Sequence, residues 1–230
     1  MSDLDQPTPD DHTAAVVFRD GVPVSRHFDD PYYALNNGAA ESAHVFIAGN
    51  DLPHRFYDGF QIAELGFGTG LNLLVTLMAW DQSGLEGRFD YTSFEAFPMT
   101  AADMTNALSH VAIPKILSQA LIGAVAQGQT EFSLGPADVT IVLGDARATL
   151  PEWTGCADAW YLDGFAPARN PELWQEDLLR EVAAHTTPGG SFATYTAAGV
   201  VRRALSEAGF DVKRQTGFGR KRHMTTGTLR

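Results

Sequence analysis

Four acids and three glycines stand where chemistry can be expected. Glu64-Leu65-Gly66-Phe67-Gly68-Thr69-Gly70 follows a short apolar run, Gln61 to Leu65, and precedes a longer one, Leu71 to Trp80. Glycine lets a backbone turn sharply and pass close to a ligand. A helix starting at Leu71 would aim its unpaired N–H groups at the same place. G-x-G-x-G with a preceding Glu suits S-adenosylmethionine better than a dinucleotide, whose turn reads G-x-G-x-x-G to seat a pyrophosphate. Glu64, Gly66, Gly68 and Gly70 are therefore expected at a cofactor. Glu95 closes the next strand-like run, Asp90 to Glu95, 31 positions after Glu64. There it could accept both ribose hydroxyls. Asp145, in Gly144-Asp145-Ala146, ends a third run and could accept from the adenine amine. Asp163 ends a fourth. Each signal alone has a plainer explanation: a packing turn, a solvated strand end, a helix cap. Acids at four successive strand ends weigh against it, because open α/β sheets bind ligands outside that edge.

Asp163 lies in Trp160-Tyr161-Leu162-Asp163-Gly164-Phe165-Ala166-Pro167, a shaped loop after a strand. A carboxylate there can hold an amine so that its lone pair faces a methyl sulfonium. Phe165 can pack on the substrate. Transfer gains from such positioning and from removing a proton at the right moment. Asp163 and Phe165 are the expected catalytic pair, with Asp163 also touching the cofactor. No histidine pair has the helical spacing of a metal site, so no metal is expected. Cys156 is the single cysteine, which excludes an intrachain disulfide.

The net charge is −12, which by itself speaks against a polyanionic partner. The charge is divided unevenly. Residues 200–230 hold eight basic and two acidic side chains, +6, leaving −18 for the rest. Arg220, Lys221 and Arg222 are the densest part of that block, with Arg202-Arg203 and Lys213-Arg214 nearby. A solvated charged face explains such a block in an ordinary protein. In an acidic chain it suggests phosphate contact. Tyr32 and Tyr33, in Phe28-Asp29-Asp30-Pro31-Tyr32-Tyr33, could stack a splayed-out base.

These residues need a scaffold. Val16–Phe18 and Val22–Val24 flank Asp20-Gly21, a hairpin signal. Residues 40–48 read as a helix. Beyond residue 60, strands and helices alternate. Strands are expected at 61–65, 90–95, 139–143 (with 130–134 beside it), 159–162 and 191–196. Helices are expected over 71–80, 100–127 with a break at Pro114, 171–185 with Asn170 as N-cap, and 200–208. Pro188-Gly189-Gly190 reads as a turn, and 210–215 with 222–228 as a closing antiparallel pair. The fold class is α/β, a mostly parallel, Rossmann-like sheet covered on both faces. Residues 1–13 are expected to be a disordered tail, 14–60 an appendage near the substrate site, and 61–230 the core. The polar start and the absence of a long apolar window predict neither signal peptide nor membrane span, and a cytoplasmic location.

Five segments carry a family resemblance: F-D-D-P-Y-Y at 28–33, E-L-G-F-G-T-G-L-N at 64–72, S-F-E-A-F-P at 93–98, W-Y-L-D-G-F-A-P-A-R-N-P at 160–171 and G-F-G-R-K-R-H-M at 217–224. From about residue 14 to 225 the chain resembles the methyltransferase half of the bifunctional tRNA 5-methylaminomethyl-2-thiouridine biosynthesis proteins (MnmC, or MnmD where that half stands alone). The resemblance implies a class I methyltransferase that uses S-adenosylmethionine and releases S-adenosylhomocysteine. It implies methylation of the amine of 5-aminomethyl-(2-thio)uridine at the tRNA wobble position, in the anticodon stem-loop. It places the glycine motif, Glu95 and Asp145 at the cofactor and Asp163 beside the acceptor amine. Two-domain members continue into a flavin-dependent oxidase. With the chain stopping at Arg230, no FAD is expected, and the aminomethyl substrate should come from a separate oxidase or upstream wobble-uridine enzymes. Two alternatives stay open: an N-methyltransferase of a small-molecule amine, and an idle RNA-binding protein.

Overall fold

Strand β8, Ala157–Leu162, is buried at every residue, as a strand covered on both faces must be. Its side chains alternate between two cores. Tyr161 packs with Ile62, Tyr91 and Leu74, and Trp160 packs on the other side with Phe94, Leu179 and Phe192. The computed structural model describes residues 13–33 and 37–230. Apart from Thr13, the tail expected over 1–13 lies outside the described residues.

The central sheet has eight strands in the order β10-β11-β9-β8-β4-β5-β7-β6. They are β4 Phe60–Leu65, β5 Phe89–Glu95, β6 Glu131–Leu134, β7 Ala137–Leu143, β8, β9 Thr186–Thr194, β10 Phe210–Thr216 and β11 His223–Leu229. β7, β5, β4, β8 and β9 run parallel to one another; β6 pairs antiparallel with β7, β11 with β9, and β10 with β11. From β4 the chain moves to one side through β5 and β7. It then crosses to β8 and β9 on the other. The order therefore reverses between β4 and β8, and a crevice opens at their carboxyl ends.

α2 (Leu71–Ser83), α3 (Ala101–Ser109) and α4 (Lys115–Ala126) cover one face, with Pro114 at the break between the last two. α5 (Ala146–Thr149), α6 (Glu176–Ala184) and α7 (Gly199–Glu207) cover the other. Before the sheet, β1 Val16–Arg19, β2 Val22–Ser25 and β3 Asp30–Pro31 form a small antiparallel sheet. α1 (Gly38–Ser42) follows, N-capped by the Asn37 side chain, and then widens into a π-helical turn, Ala43–Ile47. Val45, Phe46 and Ile47 of that turn enter the same core as α2.

Two local expectations need correction. The helix over 171–185 is divided into a 3-10 turn, Pro171–Trp174, and α6. Asn170 makes no side-chain cap. Trp174 is buried and its Nε1–H donates to the Phe165 carbonyl (2.9 Å), which draws the first turn back over the 163–170 loop. Gln175 is extended (ψ 145°), and the helix restarts after it. Nor does Pro188-Gly189-Gly190 precede a strand. It lies inside β9, which pairs Ala157 with Thr186 and Ala159 with Ser191, so the glycines bulge from the pairing.

Candidate active site

A cavity of about 1120 Å³ opens at the carboxyl ends of β4, β5, β7 and β8. Its floor is the glycine turn. Gly66 has φ +90°, and a Cβ there would stand 2.2 Å from the Asp163 carbonyl oxygen. Only glycine allows β4 and β8 to leave the sheet this close together. Gly70, in the left-handed region at φ +72°, begins α2, and a Cβ on it would strike Leu121 and the Phe67 ring.

Glu95 lies against that turn. Oε2 accepts from Gly68 N–H (2.9 Å) and Oε1 from Phe97 N–H (2.7 Å). Burial raises its pKa, and these backbone donors oppose the shift. The carboxylate is thus held at the cavity wall with acceptor capacity left for a diol. Asp145 also borders the cavity but is half exposed, caps the short helix α5, and is gripped by Arg147 (Nη2–Oδ2 2.5 Å). Arg147 holds it below the usual carboxylate range. An adenine amine would share that carboxylate with Arg147.

Asp163 sits in a buried polar chain. Asn72 Nδ2 donates to Asp163 Oδ2 (2.7 Å) and to Glu64 Oε1 (2.9 Å); Ser93 Oγ donates to Glu64 Oε2 (2.7 Å). No hydrogen bond falls on Asp163 Oδ1 from the described residues, and Asp163 lines the cavity. Burial pushes its pKa up to about 7, with Asn72 and Lys221 opposing. Glu64 does not line the cavity. It is 1% exposed, one layer behind, and burial pushes it to about 8. Glu64 thus stands beneath the cavity wall, behind Asn72, rather than at it. The alternation of β4 accounts for this, since Glu64 shares the inward face of Phe60 and Ile62.

The N-terminal elements close the cavity from above. Phe165 stacks on Phe28 (centroids 4.7 Å) and meets Tyr32 edge-on (5.0 Å). Asp30 Oδ2 accepts from Ala166 N–H (2.8 Å), and Asp29 pairs with Arg169 (3.2 Å). Tyr195 donates to the Gly164 carbonyl (2.8 Å). Tyr32 lies over Gly68, while Tyr33 donates to the Ala107 carbonyl (2.8 Å) and packs against Gly38. Both tyrosines border the cavity.

The basic block is not one patch. Arg202 and Arg203 lie on α7, Lys213 and Arg214 on β10, and residues 220–222 on the β10–β11 turn. Lys213 and Arg230 both approach Asp211. Arg220 and Arg222 are exposed. Lys221 bends into the cavity, where Nζ is 2.8 Å from Glu41 Oε1 and 4.0 Å from the Tyr195 ring centroid. Lys221, expected as an RNA contact, thus faces the cavity, which Asn72, Glu41, Tyr195, Arg147 and Arg169 also line without having been expected there. Asn72 had a signal: it follows the glycine turn directly, one residue into α2. Among the described residues no group of three or more His, Cys, Asp or Glu is arranged to hold a metal. Nor is any helix of these residues long and apolar enough to cross a membrane.

The glycine floor leaves room where any Cβ would intrude, α2 starts above it, and the Glu95 carboxylate stands beside it. These features fit S-adenosylmethionine, and with the strand order they define a class I methyltransferase. A family model described as S-adenosyl-L-methionine-dependent methyltransferase matches residues 110–230, and the chain belongs to that family. The chain is 40% identical over 224 residues to the tRNA 5-methylaminomethyl-2-thiouridine biosynthesis bifunctional protein MnmC of Methylobacillus flagellatus, covering 93% of this chain and 35% of that protein. It is 42% identical over 218 residues to the Ralstonia nicotianae protein of the same name, covering 91% and 33%. It thus spans about a third of the length of the curated relatives it matches. The crystal structure of MNMC2 from Aquifex aeolicus superposes with a TM-score of 0.76 at 25% identity, over 96% of this chain and 72% of that one. Spermidine synthase from Thermotoga maritima (TM-score 0.53, 11% identity, 90% and 64% covered) shares the fold.

Proposed function

We propose that this chain transfers a methyl group from S-adenosylmethionine to the primary amine of 5-aminomethyl-(2-thio)uridine at the wobble position of tRNA, giving the 5-methylaminomethyl product. The observation that carries this reading is Asp163, a part-buried carboxylate at a strand end that borders the cavity. One of its oxygens is tied to Asn72, and no protein donor among the described residues takes the other. The names of the MnmC relatives supply the substrate class. The volume of about 1120 Å³ exceeds the usual range for a single small ligand, which suits a cofactor and a nucleoside together. Residues 14–60 serve as an appendage that completes the mouth of a core formed by 61–230. The anticodon stem-loop is the macromolecular partner, with Arg220 and Arg222 near the rim.

When bound, S-adenosylmethionine supplies an electrophilic methyl on sulfur. Glu95 and the glycine turn would hold its ribose end. Asp163 Oδ1 accepts a hydrogen bond from the substrate ammonium and aims its nitrogen. An ammonium has no lone pair, so one proton must leave before the N–C bond forms and the S–C bond breaks. A carboxyl whose pKa is about 7 can take that proton near neutral pH. Lys221, at the same wall, disfavours a second cation and so favours the neutral amine. Phe165 and Phe28 offer stacked rings for the pyrimidine.

The test is incubation with labelled S-adenosylmethionine and tRNA from cells lacking this modification, followed by nucleoside analysis. A labelled 5-methylaminomethyl nucleoside is the expected product. Label in no nucleoside, with transfer to a small amine instead, would overturn the reading.

A further inference from the structure

We propose that Asn72 is a positioning residue for methyl transfer: it fixes the Asp163 carboxylate with Oδ1 presented to the cavity, and Ser42 of α1 sets its orientation. This rests on the reading that Asp163 holds the acceptor amine. Asn72 is 7% exposed. Its amide has two hydrogens and one oxygen, and all are committed. One hydrogen goes to Glu64 Oε1 (2.9 Å) and the other to Asp163 Oδ2 (2.7 Å). Its Oδ1 accepts from Ser42 Oγ (2.6 Å). The reversed amide would press its oxygen against two carboxylate oxygens, so the orientation is decided by chemistry. Glu64 cannot swing away, because Ser93 holds its second oxygen (2.7 Å).

One neutral amide thus separates two carboxyl groups, Glu64 buried and Asp163 part-buried, and donates to both. Without it, Asp163 would lose its one side-chain donor among the described residues and face Glu64 directly. Asp163 would rotate, or take up a proton and stop accepting from an ammonium. α1, β4 and the residue after β8 meet at this one side chain of α2, and β5 joins them through Ser93 and Glu64. The N-terminal elements are thereby coupled to the chemistry, although none of them carries the reactive carboxylate. The charged and titratable groups facing Asp163 are Glu64 on β4, Tyr91 on β5, Glu41 on α1, Tyr195 after β9 and Lys221 on the β10–β11 turn. Of these only Lys221 is positive. Lys221 favours the ionised carboxylate, as Asn72 does through its hydrogen bond, while burial opposes ionisation.

The experiment pairs Asn72→Leu with Ser42→Ala. Two quantities are read. One is the pH dependence of kcat/KM for methyl transfer to undermodified tRNA. The other is the titration of Asp163 in cofactor-free protein, followed by carboxyl carbon NMR. Loss of a hydrogen bond to a charged group should move the Asp163 midpoint in Asn72→Leu upward by about one to two pH units. The acid limb of the rate profile should move with it. Ser42→Ala should move both in the same direction by less, because the amide loses its anchor and keeps its donors. An equal rate loss at every pH, with an unmoved midpoint, would mean that Asn72 only fills space, and would overturn the proposal. If Asn72→Leu does not fold, Ser42→Ala decides alone: no movement overturns the proposal. Should the wild-type protein fail to methylate this amine, the functional reading falls, while the NMR titration still judges the hold of Asn72 on Asp163.

Discussion

Asp163→Asn removes a charge and almost nothing else. The asparagine keeps the volume and can still accept from Asn72 Nδ2 where Asp163 Oδ2 now does at 2.7 Å. The ammonium loses a charged partner, about 1.5–3 kcal/mol. The reaction loses its proton acceptor, a factor of about 10²–10⁴. Both losses come from one carboxylate, so they overlap and are not multiplied. The expected outcome is a fall in kcat/KM of about 10²–10⁴, or about 3–5.5 kcal/mol of transition-state stabilisation. Stability should change in the opposite direction. The folded-state pKa of Asp163 is raised from 3.8 to about 7. The native state therefore binds this proton more tightly than the unfolded chain. The associated stability is complete below the unfolded value and lost as pH rises through about 7. Above that, the wild type carries a buried charge penalty that asparagine avoids. Full transfer of the shift would be about 4 kcal/mol. The carboxylate borders an open cavity, and solvent screening reduces the gain to about 1–2 kcal/mol near pH 8. Single-turnover transfer of labelled methyl and a thermal melt at two pH values measure both effects. An Asp163→Asn protein within about threefold of wild-type activity, or one less stable at about pH 8, would refute the role given to this carboxylate.

Glu95→Ala should weaken S-adenosylmethionine binding by about 10- to 100-fold in calorimetry, since Gly68 N–H of the floor and Phe97 N–H after β5 lose their acceptor along with the ribose; unchanged affinity would remove Glu95 from the cofactor site. Lys221→Met should move the acid limb of kcat/KM to higher pH, because Lys221 holds the Asp163 pKa down, and Lys221→Arg should restore most of it. An unmoved limb would leave Lys221 only its pairing with Glu41. Arg220→Glu combined with Arg222→Glu should weaken tRNA binding and flatten its salt dependence by a slope of about two or more, as read by filter binding, with S-adenosylmethionine affinity unchanged. Equal tRNA affinity would make these two arginines ordinary solvated charges.

Much of the fold was legible because it is written in local pattern. Alternating apolar runs, glycine turns and Pro114 locate the strands and helices to within a few residues. The exceptions have local causes that pattern does not express. Trp174 divides the helix after Asn170 because its indole reaches the Phe165 carbonyl. The Pro188 to Gly190 segment bulges inside β9 because pairing with β8 resumes on both sides of it. At the site, the acids at the strand ends were legible from position. Their division of labour was not. Glu64 and Asp163 read alike in sequence, yet one lies beneath the floor and the other at the wall.

Alone, the sequence determined the α/β class, the glycine floor and the strand-end acids, because these follow from short-range periodicity and backbone geometry. Tertiary structure decided which groups meet. Asn72 and Asp163 are 91 positions apart, Asp30 and Ala166 136, and Glu41 and Lys221 180. No local pattern encodes such pairs, since they exist only once two faces of the sheet are covered and its carboxyl edge is enclosed. The pKa of Asp163 is decided there too. The residue type sets the ordinary value, and burial, opposed by Asn72 and Lys221 and helped by Glu41, moves it up.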